Sequence, residues 1–350
     1  MEHRRETQPL VAPLSHGIDN GAMPGLDFEA LTIDANGLRF HALAAGPVDG
    51  PLLVLLHGFP ETSHGWNREM PALAAAGFRV VAPDQRGIGL SSKPAGAAAY
   101  RIDLLAGDIV AIVRALGRDR AQVAGHDWGG VVAWYLAAHH ADVVERVAIL
   151  DAPHPAVFSE YLRRHPSQWL KSWYMAFFQL PRLPEAMLRA GNFRRLAHAL
   201  VATSRPGAFT PEDLATYRAA WAQPGALTGM LDWYRALRLG RQAPQRARVS
   251  IPVRLMWGDR DAALEPGLAE ASIARCDAGE VFHFPDATHW LAREEPERVT
   301  ALLLGFLRLS PAPASTTPPA TSRRPAPGSR PRPAGRRRRP RCRRRRRRCG

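Results

Sequence analysis

Residues 121–135, AQVAGHDWGGVVAWY, restrict the fold more than any other stretch: an apolar run ends on Gly-x-Asp-x-Gly and passes directly into a small-residue run of helical character. Glycines on both sides of Asp127 permit a strained strand-to-helix turn that presents the central side chain at the carboxyl edge of a sheet. A presented carboxylate is poorly suited to attack a carbonyl, because the anhydride formed would be reactive. It suits displacement at an electrophilic saturated carbon, which leaves an alkyl ester that water must later cleave.

The surrounding pattern supplies the sheet. Residues 28–34 and 38–44 read as strands either side of Asn36-Gly37, a hairpin signal. LLVLL (52–56) reads as a strand buried on both faces, ending at His57-Gly58-Phe59-Pro60. Residues 66–76 suggest a helix, 78–82 a strand, 102–116 a helix through Leu105, Ile109, Ile112, Val113 and Leu116, and 143–150 another buried strand. Alternating strands and helices predict an α/β fold with a mostly parallel central sheet and helices on both faces. Ligands of such sheets bind beyond the carboxyl ends of the strands, where His57 to Pro60 and Asp127 fall.

From 153 to 248 the alternation stops and the chain becomes helical in pattern, rich in Trp, Tyr, Phe, Arg and Pro. Strand character returns at 251–257 and 280–284, and an amphipathic helix over 296–309 closes the fold. The expected organisation is a lead over 1–25, a core over 26–152 and 249–310 interrupted by an inserted helical cap over 153–248, and a tail over 311–350. A cap over the strand ends would exclude water and build a pocket.

Charge separates body from tail. Residues up to 310 carry 32 Lys and Arg against 32 Asp and Glu, whereas the tail carries 15 Arg and no acid, so the net charge of +15 belongs to the tail. Pro, Ala, Ser and Arg give that tail no apolar face, and it is expected to be disordered. It could bind nucleic acid or an anionic surface by counterion release, without base stacking, or be a misread end drawn from G/C-rich codons. Three cysteines, Cys276, Cys342 and Cys349, are too few and too uneven for a disulfide framework or a metal site, and favour a reducing cytoplasm. No signal-like segment opens the chain and no run reaches about 20 apolar residues, so a soluble protein without a membrane span is expected.

Cleaving an ester requires a base and a group to hold it. His289, past the last strand, is the natural general base. Asp261, past the preceding strand, would orient the imidazole; Asp259 and Asp151 are rivals for that role. The order Asp127, Asp261, His289 is nucleophile, acid, histidine. Backbone amides of Phe59 and Trp128 would form the oxyanion hole, the first aimed by the turn that Pro60 fixes. His57 and His126 read as packed, hydrogen-bonded neighbours, with no metal or cofactor implied.

The segments HGFP (57–60), DQRGIGLSSKP (84–94), GHDWGG (125–130), LDAPHP (150–155), WGDRDAAL (257–264) and ATHW (287–290) resemble the α/β-hydrolase epoxide hydrolases, over about residues 28–309. That resemblance implies two cap tyrosines that support the leaving epoxide oxygen, and Tyr174 and Tyr234 stand in similar contexts, unlike Tyr161 and Tyr217. Neutral phenols can donate a hydrogen bond or a proton in a dry pocket. The substrate implied is an apolar epoxide, with water, giving a vicinal diol. Haloalkane and haloacetate dehalogenases use the same nucleophile and form the alternative. Haloalkane enzymes commonly have Asn where Phe59 stands; haloacetate enzymes typically pair an Arg after the nucleophile, where Trp128 stands, with a further Arg, for which only Arg86 is offered. One departure from the resembled family is Asp151, where Asn is usual.

Overall fold

Residues 28–239 and 248–307 are described by the computed structural model. The lead over 1–25 and the Arg-rich tail, with Cys342 and Cys349, lie outside them. Strands β1 (Glu29–Ala35) and β2 (Leu38–Ala45) form an antiparallel hairpin, and positive φ at Asn36 and Gly37 makes the two-residue turn. β3 (Leu52–Leu56) follows, then a 3₁₀ turn over Ser63–Trp66, α1 (Met70–Ala75) and β4 (Arg79–Pro83). The helix expected over 66–76 is therefore shorter. Pro71 has no N–H to donate inside a helix and is accommodated in the first turn of α1.

α2 (Ile102–Ala115), β5 (Ala121–His126), α3 (Trp128–His139) and β6 (Val144–Leu150) complete the first part of the core. The chain then makes α4 (Pro155–Leu162), α5 (Pro166–Lys171), α6 (Trp173–Phe177), α7 (Leu183–Ala202), α8 (Pro211–Trp221) and α9 (Ala226–Ala236). Prolines at the starts of α4, α5 and α8 set where those helices begin. α7 is broken at residues 190–193 by non-helical backbone. β7 (Val253–Gly258), α10 (Gly267–Ile273), β8 (Gly279–Phe284), α11 (Leu291–Glu294) and α12 (Pro296–Leu307) return to the sheet. β7 starts at Val253 rather than at residue 251, because Pro252 lacks the ladder N–H.

The eight strands are ordered β1-β2-β4-β3-β5-β6-β7-β8, with β1, β2 and β4 antiparallel in succession and every pair from β4 to β8 parallel. Chain order reverses at β3 and β5, which lie side by side; this is where an open α/β sheet forms its ligand crevice. Alternate residues of β3 serve opposite faces. Leu52, Val54 and Leu56 join the core with α2, α3 and the inserted helices, while Leu53 and Leu55 join the core with α1 and α12. Each fully buried leucine contributes about 1.5–3 kcal/mol, so a polar residue anywhere in this strand would be costly. No helix among the described residues is long and apolar enough to cross a membrane.

Candidate active site

Asp127 occupies the turn between β5 and α3 with φ 50° and ψ −119°, a conformation that costs a non-glycine residue of order 1–3 kcal/mol. Its neighbours have to be glycine. A Cβ on Gly125 would lie 2.3 Å from the Gly129 carbonyl oxygen, and one on Gly129 would lie 2.1 Å from that of Leu56. The reward for the strain is position. The Asp127 side chain is 17% exposed at the sheet's carboxyl edge.

Two groups meet this carboxylate. The Phe59 N–H donates to Oδ1 at 2.8 Å. His289 Nε2 lies 3.5 Å from Oδ2. The N–H of Trp128, first residue of α3, belongs to the donors that a helix start leaves free of intrahelical partners. Burial alone would raise the Asp127 pKa, but the His289 hydrogen bond and charge, the His126 charge and the Phe59 amide together hold it below the ordinary value.

His289 is turned by Asp261, whose Oδ2 faces Nδ1 at 2.6 Å. Asp261 is fixed in turn, its Oδ1 accepting from the amides of Ala263 at 2.6 Å and Leu264 at 3.0 Å. Burial lowers the His289 pKa, yet Asp261 and Asp127 outweigh it and leave it well above the usual imidazole value. Neither rival acid makes a hydrogen bond to His289. Asp259 pairs with His283 at 2.5 Å, and Asp151 accepts from the Gly258 amide at 2.7 Å.

Tyr174 on α6 and Tyr234 on α9 meet across the site, their rings 5.9 Å apart at 79°. Tyr234 also lies edge-on to Trp128 at 5.1 Å and to Phe59 at 5.3 Å. Burial, then the charges of Asp127 and Asp261, push the Tyr174 phenol up; burial, Tyr174 and Asp127 do the same to Tyr234. Both are therefore neutral donors. Tyr161 and Tyr217 serve other partners, Glu265 and Glu61. A cavity of about 530 Å³ is bounded by Asp127, Trp128, Phe158, Tyr174, Met175 and Tyr234, among others. No group of three or more His, Cys, Asp or Glu among the described residues could hold a metal.

Of the layer beneath, sequence reasoning read His126 as a packed, hydrogen-bonded neighbour and missed Glu61, Tyr217 and Arg293. His126 Nε2 faces the His289 carbonyl oxygen at 2.8 Å and its Nδ1 faces Glu61 at 3.1 Å. Glu61 also accepts from Tyr217 at 2.9 Å, and Arg293 donates to Tyr217 at 2.6 Å. Burial opposes ionisation of Glu61, but His126, Arg293 and Tyr217 hold its pKa down at about 2. The available signal was Glu61 itself, an acid directly after the buried His57 to Pro60 turn. Its partner Arg293 lies more than 200 residues away, and no local pattern joins the two. His57 is packed as expected, accepting from the Gln85 amide at 3.1 Å.

Residues 51–296 match the family model described as alpha/beta hydrolase fold. The chain is similar to the AB hydrolase superfamily protein YfhM of Bacillus subtilis (strain 168), 45% identical over 276 residues, covering 79% of this chain and 96% of that protein. It is similar to Epoxide hydrolase 4 of Homo sapiens, 38% identical over 284 residues, covering 79% of this chain and 77% of that one. Among solved structures, the Bacillus megaterium epoxide hydrolase in complex with an inhibitor superposes with a TM-score of 0.73 at 29% identity, over 79% of this chain and 100% of that chain.

Proposed function

We propose that this chain, which belongs to the epoxide hydrolases of the α/β-hydrolase fold, adds water to an apolar epoxide through an ester on Asp127. The observation that carries the reading is the grouping at Asp127: an amide on one oxygen, the His289 imidazole at the other, and two neutral phenols across the cavity.

Asp127 Oδ2 attacks a ring carbon; that C–O bond forms as the ring C–O bond breaks, and the departing oxygen takes a proton from Tyr174 or Tyr234. Oδ1 is then the ester carbonyl oxygen, already within reach of the Phe59 amide. Water adds to the ester carbon, His289 takes its proton, and the Phe59 and Trp128 amides hold the oxyanion. The ester C–O bond breaks as the second proton of the added water passes to the departing alkoxide, a vicinal diol leaves, Asp127 regains its charge beside the imidazolium, and the phenolate recovers through solvent the proton that His289 gave up on esterification.

The charges explain the timing. In the resting enzyme Asp127 helps hold the proton on His289. Esterification removes that charge, the imidazole releases its proton more readily, and a base becomes available only when there is an ester to cleave. Asp261 is favoured as its acid over Asp259 and Asp151 by the 2.6 Å contact to Nδ1.

Dehalogenation finds less support. Phe59 brings no side-chain donor for a halide. Arg86, the remaining candidate for a substrate carboxylate, is buried in a two-point pair with Asp108 at 2.7 and 2.6 Å. A halide would leave both phenols idle.

The test is intact-protein mass spectrometry of His289→Gln seconds after mixing with styrene oxide, with Asp127→Asn as control. An adduct of the whole epoxide mass is expected in the first and not in the second. Absence of the adduct, with halide release by wild type from a haloalkane or haloacetate panel, would move the assignment to dehalogenation.

A further inference from the structure

Asp151 has no part in the chemistry above, yet it is held beside it at some cost. It follows β6 with φ 45°, is completely buried, and borders the same cavity as Asp127. Its N–H donates to the Met256 carbonyl at 3.0 Å and its Oδ1 accepts from the Gly258 amide at 2.7 Å, while Oδ2 is buried with no partner. Asp261, three residues past Gly258, accepts from two amides and from His289.

Two buried carboxyls thus stand near one imidazole, and their hydrogen bonds are unequal. Three donors stabilise charge on Asp261. One donor and an orphan oxygen do not stabilise it on Asp151, because an uncompensated buried charge costs far more than a neutral acid.

We propose that Asp151 works as a neutral carboxylic acid, a positioning residue that ties the turn bearing Asp261 to β6 through Gly258 and leaves His289 beside one charged acid there instead of two. Burial and the Asp261 charge favour its protonated form, Glu294 adds to them, and His289 and the Gly258 amide oppose. If Asp151 lost its proton in alkaline solution, the extra negative charge would hold the proton on His289 and slow ester hydrolysis. This last consequence rests on His289 being the base; the protonation state of Asp151 does not.

The test has two readouts on the full chain. Infrared difference spectra between wild type and Asp151→Asn at neutral pH should show the carbonyl band of a protonated carboxylic acid in wild type alone. Single-turnover hydrolysis of the styrene oxide ester should stay within about twofold of wild type at neutral pH, and its alkaline fall should be absent from the variant. In the difference spectrum the band should fade on alkaline titration in step with wild-type hydrolysis, since the buried Glu69 carboxyl, also protonated at neutral pH, cancels between the two proteins. Lack of the band, or a loss of more than tenfold in neutral hydrolysis for Asp151→Asn, would overturn the proposal, since Asp151 would then be working as a carboxylate. The band in a wild-type protein that makes no diol would uphold the neutral acid and count against the epoxide reading alone.

Discussion

Replacing Tyr234 by Phe removes one hydroxyl and little else. The ring is held by Phe178, Trp128, Phe59 and Tyr174 at centroid distances of 5.0, 5.1, 5.3 and 5.9 Å, so phenylalanine should keep its pose. On the proposed mechanism what is lost is a neutral donor to the oxygen on which charge develops, together with the hydrogen bond between the hydroxyl and the Trp128 side chain. A hydrogen bond to a charged group contributes about 1.5–3 kcal/mol, which corresponds to a ring-opening rate about 10-fold to 150-fold lower. Tyr174→Phe should fall in the same range. The double variant should lose more than either, since neither phenol then remains. Ester hydrolysis depends on His289 and should keep its rate. Stopped-flow tryptophan fluorescence can separate the two steps, because Trp128 is packed against Tyr234 beside the reacting carboxylate. Unchanged ring opening in both single variants and the double, or a loss confined to hydrolysis, would refute the reasoning.

Arg293→Met should destabilise the fold by about 3–5 kcal/mol, because Glu61 and Asp213 would keep buried charge without it; calorimetric unfolding would measure this. Glu69 has both carboxyl oxygens buried without partners, and burial raises its pKa to about 8 from 4.5. The folded state therefore binds this proton more tightly than the unfolded state. Its stabilising effect is full below about pH 4.5 and is lost as pH rises through about 8, so the Tm advantage of Glu69→Gln over wild type should widen across that interval. Gly58→Ala would put a Cβ 2.4 Å from the Asp127 Cβ; diol formation should drop at least tenfold with an unchanged circular dichroism spectrum.

The sheet was legible because its strands are short apolar runs closed by glycine, proline or acid, and LLVLL could hardly be anything else. The elbow was legible because backbone this strained tolerates few sequences. What could be read of the base came from chain order alone. Asp261 was preferred to Asp259 in the sequence with both kept as candidates, and geometry supplies what separates them: the two carboxylates are two residues apart in one turn, one directed toward His289 and one toward His283. The breaks between inserted helices followed proline where proline was present, but the non-helical backbone at residues 190–193 includes positive φ at Asn192 and Phe193, which local propensity does not foretell. Glu61 and Arg293 escaped notice for a different reason. A buried ion pair between distant segments leaves no periodicity in either.

The helices between β6 and β7 have a temporal consequence. Asp127 precedes them and His289 follows, so synthesis delivers the proposed nucleophile 162 residues before the proposed base. During that interval β7 and β8 are still missing from the sheet, and closing it requires contacts of high sequence separation, the slow kind. A chain truncated anywhere ahead of His289 lacks the means to release an ester, so any that carried a reactive Asp127 would be spent after a single encounter. On the proposed mechanism catalytic turnover would report that the last strand has docked, and recovery of turnover during refolding should lag behind the first formation of helix.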